Sequence, residues 1–231
     1  MDLTVKDVSH LLHTSEKTVY RWIRDGVLPA YRINDQYRLN RVDLLEWATA
    51  KNIKLSPGIF SGEEFALGHG STLAEKLRAG GVLYNVEGQD KAQALKAVCD
   101  RLPLPEGVNR EELLGVLLAR EALGSTAVGH GIAIPHPRSP LILNVKKPAV
   151  TLAFLKQPVD FGALDGKPVD TLFTIISTTV RGHLNTLSHL MYALQNSDFV
   201  SLLHNRAGAD QVIGTMERIE AELPKANGAA I

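Results

Sequence analysis

The sequence has little cysteine, no excess of either charge, no long apolar run and no signal-like start. Cys99 is the one cysteine among 231 residues, which excludes a disulfide framework and a zinc site built on cysteines. Lysine plus arginine and aspartate plus glutamate both number 25, so overall charge indicates neither a nucleic-acid nor a membrane partner. The longest mostly apolar runs, 150–155 and 172–176, are strand-sized and too short to span a bilayer. The amino terminus lacks the charged and then apolar layout of a secretory signal, and we therefore expect a cytoplasmic protein without membrane insertion.

The hydrophobic periodicity changes along the chain, and this divides it into two domains. Residues 1–52 carry the pattern of short helices and one hairpin. Residues 53–71 contain five glycines or prolines and no sustained period, which predicts a linker. Residues 72–224 alternate between helical and strand periods, as an α/β (α+β) domain does, and 225–231 form a tail.

Two short helices joined by a tight turn are predicted near the amino terminus. A capping box that starts at Thr4 begins the first helix. Thr14 or Ser15 can cap the second helix, Glu16–Asp25, and Gly26 stands where a left-handed stop belongs. The arrangement is typical of a helix-turn-helix, whose second helix enters the major groove of DNA.

A hairpin and a third helix follow these two helices. Residues 31–33 and 37–39 flank the turn-forming sequence 34–36, which predicts a wing, and Asn40 caps the last helix. The aromatic side chains of this stretch are predicted to lie in the core: Trp22, Tyr31, Tyr37 and Trp47.

Local charge favours DNA as the partner of this domain. Between residues 15 and 41 there are six basic and three acidic residues, a net charge of +3 in a neutral protein. The whole stretch 3–48, including "GVLPAYR" and "DLLEW", resembles the excisionase branch of the MerR-like winged-helix family. The resemblance implies that the second helix enters the major groove and that the wing contacts phosphates. The DNA-binding residues predicted in this way are Lys17, Thr18, Arg21, Arg24, Arg32 and Arg38. In the alternative interpretation these residues form a solvated face and the domain binds protein.

The segment "GSTAVGHGIAIPHPRSP", residues 124–140, contains the histidine that carries most information. Pro135 and Pro137 flank His136 directly after a short apolar strand. The two prolines fix the local backbone and remove two hydrogen-bond donors, so the ring is presented on a stiff turn. Such a position suits a nucleophile better than a core side chain.

Phosphoryl transfer to an imidazole requires an unprotonated nitrogen, a partner that orients the ring, and a fixed positive charge near the phosphoryl oxygens. The sequence contains no GxxxxGK[ST] phosphate-binding loop. We therefore expect the donor to be another phosphoprotein, with no cofactor bound to this chain.

The carboxyl-terminal domain resembles the type 2 enzyme IIA family of the phosphoenolpyruvate:sugar phosphotransferase system (PTS), which includes fructose, mannitol and nitrogen-regulatory IIA domains. The resemblance runs from about Leu73 to Glu222 and includes "GIAIPH" (131–136) and "DFGALDGKPVD" (160–170). It implies a mixed sheet flanked by helices on both sides, and a carrier resembling the histidine phosphocarrier protein (HPr) as donor.

The same resemblance implies roles for three residues. The phosphorylated histidine of the family falls on His136, and the histidine that orients it falls on His183 in "GHL". The arginine that balances the phosphoryl charge falls on Arg120 in "ARE".

The chain departs from the family pattern at two positions. His130 stands where asparagine is usual, and Pro137 where glycine or alanine is common. His130 either supplies a second donor near the phosphoryl group or is an exposed neutral substitution, and we favour the second. A zinc site formed by His130, His136 and His183 lacks an acidic fourth ligand, so we predict no metal.

Together these features predict a DNA-binding regulator of a nitrogen-PTS-like phosphorelay, a phosphocarrier rather than a free-standing metabolic enzyme. The alternative is a sugar-specific enzyme IIA that passes phosphate to a IIB domain; a third interpretation is a scaffold without turnover. These 231 residues include no IIB or membrane IIC sequence, and transport has no evident use for a DNA-binding domain. The expected partners are an HPr-like carrier, DNA, and a IIB domain or regulated target, and a homodimer is compatible with the sequence.

Overall fold

A computed structural model describes residues 3–50, 53, 71–105, 108–137, 145 and 147–223. The predicted linker (53–71), apart from Ile53 and Ser71, and the predicted tail (225–231) lie outside the described residues.

The amino-terminal helices begin at the predicted caps. The Thr4 hydroxyl accepts a hydrogen bond from the Asp7 N–H at 3.1 Å, and the Asp7 carboxylate accepts one from the Thr4 N–H at 2.9 Å. Of the two candidate caps for the second helix, Ser15 is the one used, since its hydroxyl accepts from the Thr18 N–H. These bonds satisfy N–H groups that the first helical turn leaves without partners. The helices are α1 (Val5–Leu11), α2 (Glu16–Arg24) and α3 (Arg41–Ala50).

The predicted wing is present as an antiparallel hairpin. β2 (Tyr31–Ile33) and β3 (Gln36–Leu39) are joined by Asn34 and Asp35, whose φ values of 46° and 61° match the two-residue turn that fits strand twist. The short β1 (Leu3–Thr4) pairs with the other side of β3, so the sheet order is β1-β3-β2.

The predicted aromatic core of this domain is correct in part. Trp22 and Trp47 contact each other, with ring centroids 5.1 Å apart, and Tyr37 is half-buried. The prediction for Tyr31 was wrong, because its side chain lies on the edge strand β2, where all three residues are exposed.

The carboxyl-terminal domain is built on a five-stranded mixed sheet with the order β4-β7-β8-β6-β5. Its strands are β4 (Val82–Val86), β5 (Ala127–Gly129), β6 (Ile132–Ala133), β7 (Ala149–Val159) and β8 (Val169–Ile176). Its helices are α4 (Leu73–Gly80), α5 (Lys91–Arg101), α6 (Arg110–Ala122), α7 (Val180–Ala193), α8 (Ser197–His204) and α9 (Ala209–Glu222).

Helices cover both faces of this sheet, as predicted. Along β7, Leu152 and Phe154 pack into one hydrophobic cluster with residues of α4, α7, α8 and α9. Ala153 and Leu155 pack into a second cluster with residues of α5 and α6. Because successive strand residues point to opposite faces, a strand buried on both faces has an almost continuous apolar sequence.

The two domains contact each other through α3. This helix packs against α7 and β5, and Tyr192 of α7 contacts the hydrophobic core of the amino-terminal domain. In the part of the chain that the structure describes, no helix combines the length and the apolar composition that crossing a membrane requires.

Candidate functional site

The β5–β6 hairpin positions the segment that carries His136. His130 and Gly131 form its two-residue turn with φ values of 55° and 72°. Asparagine and histidine are both enriched in this left-handed conformation, which accounts for the exchange of the family asparagine for His130. Beyond β6 the chain stays attached to the sheet, because the Ile175 N–H donates to the Pro135 carbonyl at 3.0 Å.

Hydrogen bonds fix the tautomer of His136. Its Nδ1 lies 2.7 Å from the carbonyl oxygen of Ile134, which only accepts, so Nδ1 carries the hydrogen. Its Nε2 accepts from the Nε–H of Arg120 at 3.3 Å. The unprotonated nitrogen therefore faces a guanidinium group, as a phosphoryl acceptor requires.

Arg120 is held at the carboxyl-terminal end of α6. Its Nη1 donates to the Gly124 carbonyl at 3.0 Å, which leaves the Nε–H directed at His136. A guanidinium group is protonated at all relevant pH values and offers several donors to oxyanions.

His183 lies beside His136 in the first turns of α7. The ring centroids are 5.0 Å apart and the rings are inclined by 44°. Only 5% of His136 and 6% of His183 is exposed. Among the described residues, Nδ1 of His183 is buried without a hydrogen-bond partner. The three residues predicted from the sequence thus lie together at one site.

Burial keeps both histidines neutral. Burial first, and then the neighbouring His183 and Arg120, lower the pKa of His136 to about 3. Burial and the Arg120 charge lower the pKa of His183 to about 4. At neutral pH both rings therefore have a lone pair available.

These shifts predict a stability that depends on pH. The folded-state pKa of His136 lies below its unfolded value near 6.5, so the unfolded chain binds more protons between the two values. The free energy of unfolding should then fall, as pH drops below about 6.5, by about 1.4 kcal/mol per pH unit from this histidine. Denaturant unfolding between pH 7 and pH 5 should show a shallower pH dependence for His136→Gln than for the wild type. Equal slopes would contradict the burial argument.

A residue that the sequence analysis missed connects α6 to the histidine segment. Glu121 is buried, and its carboxylate accepts from both the N–H and the hydroxyl of Thr126. The Thr126 carbonyl in turn accepts from the Ile134 N–H at 3.0 Å, and Ile134 is the residue that binds Nδ1 of His136. Glu121 thus positions the helix of Arg120 relative to His136. Its place beside Arg120 in "ARE" was the available signal.

A cavity of about 660 Å³ opens at these side chains. The carboxyl-terminal domain contributes His136, His183, Arg120 and Leu184 to its lining, together with residues of the 123–128 and 162–164 segments. The amino-terminal domain contributes Pro29, Asn40, Asp43 and Trp47. No sequence motif indicated this contribution from the first domain.

None of the other histidines that the structure describes lines this cavity. His130 does not line it; this residue is half-buried rather than exposed, and its N–H donates to the Asp165 carboxylate at 3.0 Å. Among the described residues, no three histidine, cysteine or acidic side chains are grouped so as to bind a metal ion. His189 lies 3.4 Å from Glu220, whose carboxylate also accepts from the N–H groups of Leu73 and Ala74 at the start of α4. We therefore assign His189 a structural role.

The basic residues of α2 form a second candidate site. A groove of about 410 Å³ is lined by Lys17, Thr18, Tyr20, Arg21, Arg24 and Tyr37. Four of the six predicted DNA-binding residues therefore share one surface, and the two tyrosines were not predicted as part of it.

The two wing arginines lie outside this groove. Arg32 forms an ion pair with Asp35 at 3.2 Å and lies over the Tyr37 ring, 5.5 Å from its centroid. Arg38 donates to the Gln36 side chain at 2.8 Å. Both side chains are therefore engaged in contacts within the hairpin.

The chain has relatives among known proteins over both of its domains. Residues 75–219 match the model of the family described as "Phosphoenolpyruvate-dependent sugar phosphotransferase system, EIIA 2", and residues 3–52 match that of a helix-turn-helix domain. The "Nitrogen regulatory protein" of Pseudomonas aeruginosa is 35% identical over 142 residues, which cover 60% of this chain and 90% of the relative. That of Bradyrhizobium diazoefficiens is 32% identical over 137 residues, covering 58% and 88% respectively.

A solved structure and a transport component are also similar. The crystal structure of nitrogen regulatory protein IIA-Ntr from Neisseria meningitidis superposes with a TM-score of 0.51 at 30% identity, covering 58% of this chain and 91% of that one. The "PTS system fructose-specific EIIABC component" of Bacillus subtilis is 29% identical over 61% of this chain and 22% of its own length. The chain belongs to the EIIA 2 family of the phosphoenolpyruvate-dependent sugar phosphotransferase system, and it carries a helix-turn-helix domain in front of the EIIA 2 domain.

Proposed function

We propose that this protein is a DNA-binding regulator of a nitrogen-PTS-like phosphorelay that accepts a phosphoryl group on His136 from an HPr-like carrier. The observation that carries the proposal is a buried, neutral His136 whose Nε2 lone pair faces Arg120. The domain boundaries that go with it are 1–52 for DNA binding and 72–224 for phosphoryl acceptance, in a cytoplasmic protein.

The transfer step follows from the tautomer. The Nε2 lone pair of His136 forms the new N–P bond while the P–N bond of the carrier's phosphohistidine breaks, and the carrier ring leaves with the electron pair. No proton has to leave Nε2, and the Nδ1–H bond to the Ile134 carbonyl stabilises the positive charge that the ring gains. Arg120 balances the charge on the phosphoryl oxygens, and these oxygens supply acceptors for an N–H of His183.

The relatives support regulation more than transport. The nitrogen regulatory proteins of Pseudomonas aeruginosa and Bradyrhizobium diazoefficiens match this chain over 90% and 88% of their own length, and the helix-turn-helix domain has no evident use in transport. The similarity to a fructose-specific component keeps a sugar-specific IIA, with a IIB domain as the next acceptor, as the second candidate. Transfer of phosphate from this protein to a fructose IIB domain at the rate of a dedicated IIA would favour that candidate.

DNA binding is expected to depend on the groove of α2. The double substitution Arg21→Ala and Arg24→Ala removes two cations from the groove and should weaken DNA binding. One module offers few phosphate contacts, so tight binding needs two modules even in the wild type. Affinity falls as salt concentration rises, and each lost phosphate contact should make the slope of log K against log salt concentration less steep by about 0.9. Binding to a genomic DNA library, measured at several salt concentrations, checks this result.

The matched control is Arg78→Ala with Lys96→Ala, which removes the same charge from exposed positions on α4 and α5. The control should bind DNA as the wild type does. If the groove variant also binds like the wild type, the groove of α2 is not the DNA-binding surface.

The regulatory half of the proposal is tested with the same library. Protein phosphorylated by phosphoenolpyruvate, enzyme I and an HPr-type carrier should differ from the unmodified protein in DNA affinity, because the modification adds about −1.5 to −2 charges. Unchanged binding at full phosphate occupancy would show that the two domains are merely tethered.

A further inference from the structure

The helix-turn-helix domain and His136 share one cavity. α3 packs against α7 and β5, the elements next to the acceptor histidines, and Tyr192 of α7 reaches the core of the smaller domain. Asp43 and Trp47 of α3 line the cavity together with His136. The DNA-binding domain is therefore in contact with the face that a phosphoryl donor must reach.

This contact restricts access to the acceptor. A docked protein partner needs about 800 Å² of surface on each side, and its phosphoryl group must come within about 3.5 Å of the acceptor nitrogen. His136 and His183 are only 5% and 6% exposed with the helix-turn-helix domain in place. At the cavity rim, Leu123 and Leu164 remain 66% and 60% exposed as apolar surface. A carrier can begin to dock there and complete its approach when α3 moves aside.

The charges in the cavity are balanced before phosphorylation. Among the described residues that line it, Arg120 is the cation and Asp43 is the anion. A phosphoryl group on His136 adds about −1.5 to −2 charges, which Arg120 alone cannot balance with Asp43 nearby. The carboxylate of Asp43 and the phosphoryl group are then two anions in one cavity whose described lining contains one guanidinium group.

We propose that phosphorylation of His136 releases the helix-turn-helix domain from the acceptor face through repulsion between the phosphoryl group and Asp43. The inference rests on the proposed function, and it gives the phosphorelay a structural output. It meets the requirement that the modification interacts differently with the two arrangements, because Asp43 and His136 share a cavity only when the domains are docked.

The release acts on the position of the DNA-binding domain rather than on the exposure of its basic groove. Lys17, Arg21 and Arg24 are exposed while the domains are docked, and none of them lines the acceptor cavity. A freed domain can adopt the spacing that two modules need on adjacent half-sites. Linkage requires the reverse effect too: a condition that holds the domain away from His136 favours phosphorylation.

Tryptophan fluorescence of the full-length protein tests this proposal. Trp22 and Trp47 are the two tryptophans of the chain, and both lie in the helix-turn-helix domain. Trp47 is 7% exposed and lines the shared cavity, so release should raise its quenching by acrylamide and shift the emission to longer wavelength. Quenching is measured before and after phosphorylation, once the donor proteins have been removed, and mass spectrometry gives the phosphate occupancy.

A second set of measurements places a negative charge at position 136 by substitution, so that no phosphoryl donor is needed. His136→Asp and His136→Glu should show more quenching than the neutral His136→Gln, and adding Asp43→Asn should suppress the increase in both. Thermal unfolding followed by circular dichroism identifies any variant that has lost its fold. If one of the two acidic variants has lost it, the other acidic variant is used.

The outcomes separate this proposal from the proposed function. A wild type that accepts no phosphate refutes the proposed phosphorelay. The acidic variants still show whether a negative charge at position 136 releases the helix-turn-helix domain. Full phosphate occupancy with unchanged quenching, or an increase that Asp43→Asn leaves intact, overturns the release through Asp43.

Discussion

Replacing His136 with glutamine should abolish phosphoryl acceptance from an HPr-type carrier, while His183→Ala should slow transfer and leave the acceptor in place. Glutamine keeps a polar side chain of similar size but has no nucleophilic nitrogen, so no N–P bond can form at this position. His183 touches His136, whereas the bonds that fix the acceptor lone pair come from Ile134 and Arg120. Radiolabelled phosphoenolpyruvate with enzyme I and carrier gives both rates.

His189→Gln is the matched control for these variants. His189 is as buried as His183, but it lies against Glu220 of α9 rather than against the acceptor. The His189→Gln protein should accept phosphate like the wild type. A His136→Gln protein that is still labelled would show that a different histidine is the acceptor.

Arg120→Ala should reduce the rate of transfer by about a hundredfold, which corresponds to about 3 kcal/mol. The guanidinium group is fixed before the reaction by its bond to Gly124, so removing it takes away a charge that needs no reorganisation. Arg120→Lys should recover part of the rate, since an ammonium group supplies the charge without the planar donor geometry. Quenched-flow assays under single-turnover conditions measure the rate of transfer.

Folding should change little in Arg120→Ala, and thermal unfolding provides that control. The neighbouring Glu121 is the residue whose loss should destabilise the domain, because it leaves buried Thr126 groups without their acceptor. Normal transfer by Arg120→Ala would show that another group balances the phosphoryl charge.

The sequence predicted the local structure well where a few neighbouring residues determine it. The capping box at Thr4, the cap at Ser15 and the hairpin turn at Asn34 and Asp35 each depend on side chains within three positions of the backbone they bind. The layered α/β arrangement was predicted from the family resemblance and agrees with the alternation of buried residues along β7. Tyr31 was misplaced because an edge strand and an inner strand share the same aromatic pattern.

The interface between the domains could not be predicted from the sequence. The distance along the chain from Asp43 to His136 is large, and no periodicity or motif relates the two positions. Glu121 was missed for a related reason: its role depends on its bonds to Thr126 and on the bond between Thr126 and Ile134, which forms only when the hairpin brings Ile134 beside Thr126. Such contacts follow from tertiary packing and require the structure.

The nuclear magnetic resonance spectrum of the protein with ¹⁵N-labelled histidine, before and after phosphorylation at neutral pH, identifies the histidine and the ring nitrogen that accept the phosphoryl group. Before transfer, we predict a neutral His136 with its hydrogen on Nδ1, as the bond to the Ile134 carbonyl requires. After transfer, we predict a single phosphohistidine, at His136, with the phosphorus bonded to Nε2. Phosphate on Nδ1 of His136, or on His130, His183 or His189, would contradict the account.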